Sequence, residues 1–266
     1  MIPKKERITN KLFLNAVLPL LKVIATDVPA LAKGFANAQT VVQISALDDE
    51  NPAGKSATHF IIENGAWTVK NDKPAEAPAV ELEFKSVPSM NGFFKGDMKQ
   101  LPKMKGIVKN FGLFLSFMKV LLKMSALLTA KEAPEDEETQ KLLVKSFFYL
   151  LTAGISQLNK LGFEEVRRWT EVSPDRVYAL AVNGQSDVSA YIRIKAGKSR
   201  SGHGEYTRAM PFFTLRFDSF KSALGILLST DDMMDATKAG RLIMDGAPEF
   251  GATFGNLLLA VGGFVQ

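Results

Sequence analysis

Residues 80–96 read VELEFKSVPSMNGFFKG, and residues 213–229, FTLRFDSFKSALGILLS, lie over them without a gap at a shift of about 133 positions. Leu82 meets Leu215, Phe84 meets Phe217, Ser86 meets Ser219, Ser89 meets Ser222 and Gly92 meets Gly225. With one residue inserted, Asp97 then meets Asp231, Gly106 meets Gly240 and Gly112 meets Gly246. Val80, Leu82 and Phe84 alternate with Glu81, Glu83 and Lys85, as Phe213, Leu215 and Phe217 do with Thr214, Arg216 and Asp218. Each run predicts a strand with one buried face, and both then change to helical spacing. The chain therefore reads as one α+β unit used twice.

Outward from that anchor, helices are expected over residues 10–25 and 30–36, then strands over 40–47 and 58–63. Asn64-Gly65 signals a type I′ turn that returns the chain as a hairpin over 66–70. After the Val80 strand come a helical stretch, a short strand at 107–109 and a long helix over 111–129. The second unit repeats the order: helices at 139–159 and 163–170, and strands at 177–182 and 190–196. The glycine-rich turn GKSRSGHG leads to a strand at 205–209, then the Phe213 strand, a helix at 221–228, a strand at 241–244 and a closing helix to Val265. Each unit thus reads as helices, a four-strand meander, a crossover helix, a fifth strand and a last helix. Between them KEAPEDEETQ, residues 131–140, is acidic and apolar only in alanine. It predicts a linker that also carries the start of the next helix, with units at 1–130 and 141–266.

At 266 residues the chain can bury two cores, and 46% hydrophobic with 23% charged residues describes a folded soluble protein. It has no cysteine, which excludes disulfides, a thiolate nucleophile and cysteine metal sites. That suits a reducing compartment, and a cytoplasmic location is expected. The start, MIPKKERITNKLFLNAVLPLLKVIA, has the basic head of a signal peptide. Lys22 interrupts it and its apolar positions keep helical spacing, so a retained amphipathic helix is expected. Residues 111–130 carry Lys119 and Lys123, and residues 250–265 are short and glycine-rich, so neither is read as a membrane span.

Only two histidines are present. Glu63 follows His59 by four residues, but a strand carries it about 13 Å away, and His203 lies in a turn. Neither a metal site nor a catalytic dyad is expected, and no cofactor. GKSRSG lacks the earlier glycine of a phosphate loop, Ile192 standing there, and is read as a hairpin turn. The net charge of +5 suits an anionic partner. No basic-aromatic module points to nucleic acid, and none is expected as a partner.

From Gly240 the second unit reads GRLIMDGAPEFGATFGNLLLAV. This resembles the carboxy-terminal signature of the sterol carrier protein type two family, in which one glycine precedes a strand, a second ends it and an apolar helix follows. Gly240 and Gly246 take those two places. The Phe213 strand, its helix and the pair Asp231-Asp232 are similar to the family's strand, helix and acidic turn. The resemblance covers most of residues 177–264; in the first unit Gly106 and Gly112 stand around a shorter, basic strand. It implies a five-stranded, mainly antiparallel sheet in each unit, backed by helices around an apolar tunnel that holds an acyl chain, phospholipid, sterol-like or isoprenoid molecule. It implies no catalysis.

Nineteen phenylalanines and ten methionines suit an adaptable apolar pocket. In the closing helix Phe250, Phe254, Leu257, Leu258 and Val261 form an inward stripe, and hardly any face is charged. Such a helix needs cover from protein, a second copy of the chain or lipid. It is expected to lid a pocket walled by Phe213, Leu215, Phe217, Leu224, Leu227, Met233 and Met234. In the first unit Lys95, Lys99, Lys103, Lys105 and Lys109, with Lys119 and Lys123, surround Phe93, Phe94, Phe111, Phe114, Leu115 and Phe117. Aromatic and basic residues so mixed suit an anionic membrane surface. The expected function is non-enzymatic lipid binding or transfer. The alternative is an interaction or scaffold protein that docks an enzyme or itself.

Overall fold

The computed structural model describes residues 1–265 and divides into two compact units, Met1–Ser125 together with Phe264 and Val265, and Ala126–Gly263. The first unit opens with α1 (Lys4–Leu12), which runs through a single π turn (Phe13–Val17) toward α2 (Leu20–Asp27). Pro19 lacks an amide proton, and the Leu14 carbonyl that it would have met in this wide turn accepts instead from the Thr58 hydroxyl at 2.7 Å. Then follow α3 (Pro29–Ala32), β1 (Gln39–Leu47), β2 (Lys55–Glu63), β3 (Ala66–Lys70), β4 (Val80–Phe84), α4 (Val87–Phe94), β5 (Lys103–Lys105) and α5 (Phe111–Leu128). The second unit has α6 (Glu137–Lys160), α7 (Glu164–Val172), β6 (Arg176–Val182), β7 (Ala190–Lys195), β8 (Lys198–His203), β9 (Phe213–Phe217), α8 (Phe220–Leu227), α9 (Met233–Lys238), β10 (Leu242–Gly246) and α10 (Gly251–Val265). Helix α6 starts inside the acidic stretch, where Asp136 accepts a hydrogen bond from the Thr139 amide at 2.7 Å.

The two sheets share one topology, β3-β2-β1-β4-β5 and β10-β9-β6-β7-β8. In each, one pair is parallel, β1 with β4 and β6 with β9, and the other pairings are antiparallel. The sheets are thus mixed, and the expected four-strand meander gives way to three antiparallel strands. The chain then crosses over the sheet as a strap, residues 71–79 or 204–212, to lay the fourth strand beside the first. A strand with neighbours on both sides is central, which is why β4 and β9 are each buried at four of five positions.

The repeat holds at atomic detail where the sequence match is gapless. Ser86 caps α4 by accepting from the Ser89 amide at 3.2 Å, and Ser219 caps α8 from the Ser222 amide at 3.2 Å. Past the helices the expected pairing slips. Gly106 (φ +77°) ends β5 with its would-be Cβ 1.9 Å from the Ala79 carbonyl oxygen, and Gly246 (φ +89°) ends β10 at 2.2 Å from that of Phe212. Gly106 is therefore the counterpart of Gly246, not of Gly240, because α9 is inserted in the second unit. The expected strand at 107–109 is replaced by β5 at Lys103–Lys105, which Gly106 terminates. A second correction concerns GKSRSGHG. Its lysine-to-histidine stretch is itself strand β8; the turn is Ala196-Gly197, both at positive φ, and residues 205–209 belong to the strap.

Each unit has its own core on the helical side of its sheet. In the first, Phe84 meets Phe93 and Phe94 at ring distances of 5.2 and 5.9 Å, Phe13 meets Phe94 at 5.3 Å, and Phe60 meets Phe117 of α5 at 6.0 Å. A fully buried ring of this kind contributes about 1.5–3 kcal/mol. In the second unit α10 seats against α6, where Gly154 leaves room for Val261: a Cβ there would lie 2.4 Å from Val261 Cγ1.

Candidate functional site

The residues expected to wall a pocket fall into three groups. Phe213, Leu215, Phe217, Leu224, Phe254, Leu257 and Val261 are buried together between sheet and helices. Leu227, Met233, Phe250 and Leu258 are half-buried around them, and Met234 is exposed and does not join them. At the centre stands Tyr178 of β6, which strand periodicity turns to the same side as Leu180 and Val182. Its ring lies 5.5 Å from Phe254, 5.7 Å from Phe212, and 6.4 Å from both Phe213 and Phe250, with Trp169 at 4.8 Å. The Arg176 guanidinium stacks on Phe212 at 3.8 Å and Phe250 at 4.9 Å. Inside this aromatic cluster the Tyr178 hydroxyl is fully buried and has no hydrogen-bond partner among the described residues. Periodicity marks Tyr178 as inward-facing, but nothing in the sequence reveals that its hydroxyl goes unmatched.

The lysine segment of the first unit has a different character. Between residues 98 and 122, Met98, Leu101, Met104, Val108, Phe111, Leu115 and Leu122 are all exposed, Val108 at 98%, Met98 at 66% and Leu122 at 63%. Lys95, Lys99, Lys103, Lys109 and Lys119 lie among them. Lys105 is not free: it pairs with Glu83 at 2.6 Å and Glu81 at 3.7 Å. Among the described residues, two helical stretches are long and apolar enough to cross a membrane, residues 4–27 and 111–128. The first is 72% buried and supplies core to its unit, whereas the second is 28% buried with mean hydropathy 1.7. Helix α5 turns Phe117 inward and leaves Phe111, Leu115 and Leu122 outside.

The outer face of the first sheet holds a polar cluster that alternation alone assigns to solvent. Glu81 is 5% exposed and its Oε1 accepts from Gln43 at 2.6 Å, Ser45 at 2.7 Å and Lys55 at 2.8 Å. Burial pushes the Glu81 carboxyl up, but the hydrogen bonds from Lys55, Ser45 and Gln43 outweigh it and hold the group below its ordinary value. Burial likewise lowers the Lys55 ammonium, and its bonds to Glu81 and Glu83 reverse the sign and raise it. The strap closes the cluster: His59 Nδ1 lies 2.6 Å from the Lys73 carbonyl oxygen, and the Ala75 amide donates to Gln43 at 2.6 Å. Among the described residues no group of three or more metal-ligating side chains gathers.

No family model and no curated protein matches the chain. Among solved structures, a conserved hypothetical protein from Thermus thermophilus, named as a possible sterol carrier protein, aligns at a TM-score of 0.29 with 12% identity over 40% of this chain and 84% of its own. The stereoselective inverting sec-alkylsulfatase Pisa1 from Pseudomonas sp. aligns at 0.27 with 11% identity, over 57% of this chain and 28% of its own. Both superpositions are loose; what the chain itself supplies is a two-unit α+β architecture with an apolar, lysine-flanked segment on the surface of the first unit.

Proposed function

We propose that the protein binds lipid without catalysis, working against an anionic lipid surface through its first unit and holding an apolar ligand in its second. The observation that carries this is the segment 98–122, where seven large apolar side chains stand exposed among lysines. Seven lysines and one acid, Asp97, lie between residues 95 and 123. Water-facing methionine, leucine, valine and phenylalanine are costly, at about 25 cal/mol per Å² of apolar surface, and an acyl boundary removes that cost. Each lysine near anionic headgroups adds about 1 kcal/mol. In the second unit the unmatched, buried Tyr178 hydroxyl, which costs about 1–3 kcal/mol, favours an apolar ligand that brings a hydrogen-bonding group.

Vesicle flotation tests the surface half. The full chain should float with phosphatidylserine-containing vesicles and lose binding in high salt; the change of Lys99, Lys103 and Lys109 to glutamate should remove it. Equal flotation with neutral vesicles, or none with anionic ones, overturns the reading in favour of a protein-docking surface. Native mass spectrometry followed by organic extraction tests the ligand half, with stoichiometric bound lipid as the expected outcome.

A further inference from the structure

The two sheets differ on their outer faces, and the repeat register says how. Gln43 pairs with Glu81 across the parallel strands of the first unit, and Ala179 pairs with Thr214 at the same register in the second. One step on, Ser45 faces Glu83, and Ala181 faces Arg216. Where the first unit has an amide, a hydroxyl and two carboxylates under its strap, the second has two methyl groups, a threonine and a guanidinium. The smaller side chains leave a cavity of about 260 Å³ over Ala179, Ala181, Thr214 and Arg216. The turn at Gln185 and Ser186 forms one wall and the strap, with Tyr206 and Pro211, forms another.

The polar groups of this cavity have capacity to spare. Thr214 is 5% exposed, and its hydroxyl makes no hydrogen bond within the described residues. Arg216 gives only its Nε to Asp245, at 2.6 Å, which leaves both terminal nitrogens unspent. Tyr206 is held by its ring against Tyr191 at 4.9 Å, and Gly202 is required beneath, since a Cβ there would lie 2.2 Å from the Tyr191 ring. Glu205 also borders the cavity. In the first unit the corresponding niche is filled by the protein's own Glu81 carboxylate, held by an amide, a hydroxyl and an ammonium.

We infer that the cavity on the outer face of the second sheet is a binding site for a small monocarboxylate with a compact apolar body. The carboxylate takes the place that Glu81 fills in the first unit, meeting the Thr214 hydroxyl and the free nitrogens of Arg216, while Ala179, Ala181 and Pro211 enclose the body. Charge-assisted bonds to a guanidinium are the strong kind, and a partly enclosed site strengthens them further. The volume equals that of roughly eight or nine waters at about 30 Å³ each, room for a ring or a branched chain. This site is separate from the lipid surface and from the Tyr178 cluster, so its fate does not depend on either.

Benzoate is the probe and neutral benzamide its isosteric control, titrated against the full chain by ligand-observed NMR. Benzoate should bind and benzamide should bind at least about tenfold more weakly. Arg216→Gln, at a half-exposed position that leaves the fold intact, should weaken benzoate by about tenfold, and Thr214→Val should also weaken it. Ala181→Leu should block the cavity. Equal binding of the two probes, no binding of benzoate at millimolar concentration, or benzoate binding indifferent to Arg216→Gln would each overturn the site.

Discussion

Glu81 and Tyr178 stand in different units and pose opposite problems. Glu81 is a buried charge whose carboxylate is well supplied with donors. Its folded-state proton affinity is depressed, so the stability it contributes is present above the unfolded carboxylate value, about 4.3, and is lost as pH falls below it. The first unit should weaken progressively in acid, and Glu81→Gln should flatten that dependence while costing about 1–3 kcal/mol at neutral pH, read by denaturant titration. An unchanged acid profile in the variant would remove Glu81 as the cause. Tyr178 is a buried hydroxyl with no bond made among the described residues. Tyr178→Phe should stabilise lipid-free protein by about 1 kcal/mol and reduce the lipid that co-purifies, whereas a packing role alone predicts no change in lipid.

Among the elements, the ones the alternation rule reads well are the central strands, since hydrophobic runs of period two at Val80 and Phe213 coincide with β4 and β9 to the residue. The serines matched in the sequence alignment, Ser86 and Ser219, prove in the structure to cap α4 and α8. Strand β8 was not legible: lysine, serine, arginine and glycine carry no strand preference, and only ladder bonds to β7 with Tyr191 lying over Gly202 make them extended. Helix α9 was missed because its six residues are too few for a periodic signal. The outer-face chemistry was hidden for a related reason: alternation put Glu81 and Glu83 on the face opposite the core, and a strap with no regular structure covers Glu81 and its neighbour Gln43. Helix α10 gives a testable element. Gly154→Ala should push Val261 away and destabilise the second unit by about 1–3 kcal/mol in thermal melts, and no loss would mean that α10 shifts freely. Helix α5 gives another, since serine at Phe111, Leu115 and Leu122 should abolish flotation without lowering the melting temperature, these side chains being exposed.

At the scale of the whole chain, two sheets with separate cores make unfolding a sum of two events. Calorimetry should give a van't Hoff enthalpy smaller than the calorimetric one, and Glu81→Gln should move one transition only. A single transition shifted as a unit would show that the cores melt together. The division of labour follows the same line: surface lysines and exposed apolar groups in the first unit, an aromatic cluster and a small outer cavity in the second.

The open rims of the sheets have one more consequence. Strand β5 is only three residues long with a lysine at each end, and β8 presents exposed Lys198 and Arg200 along the border of its sheet. An unguarded border is a template on which a neighbouring molecule can lay its own backbone, and the process repeats into fibres. Charge and shortness make that stacking unfavourable. On the proposed membrane reading, copies would gather at high local density on the lipid, and these cations would then also guard against polymerisation there. Replacing Lys198 and Arg200 with threonine should yield thioflavin-positive aggregates at concentrations where the parent chain stays clear.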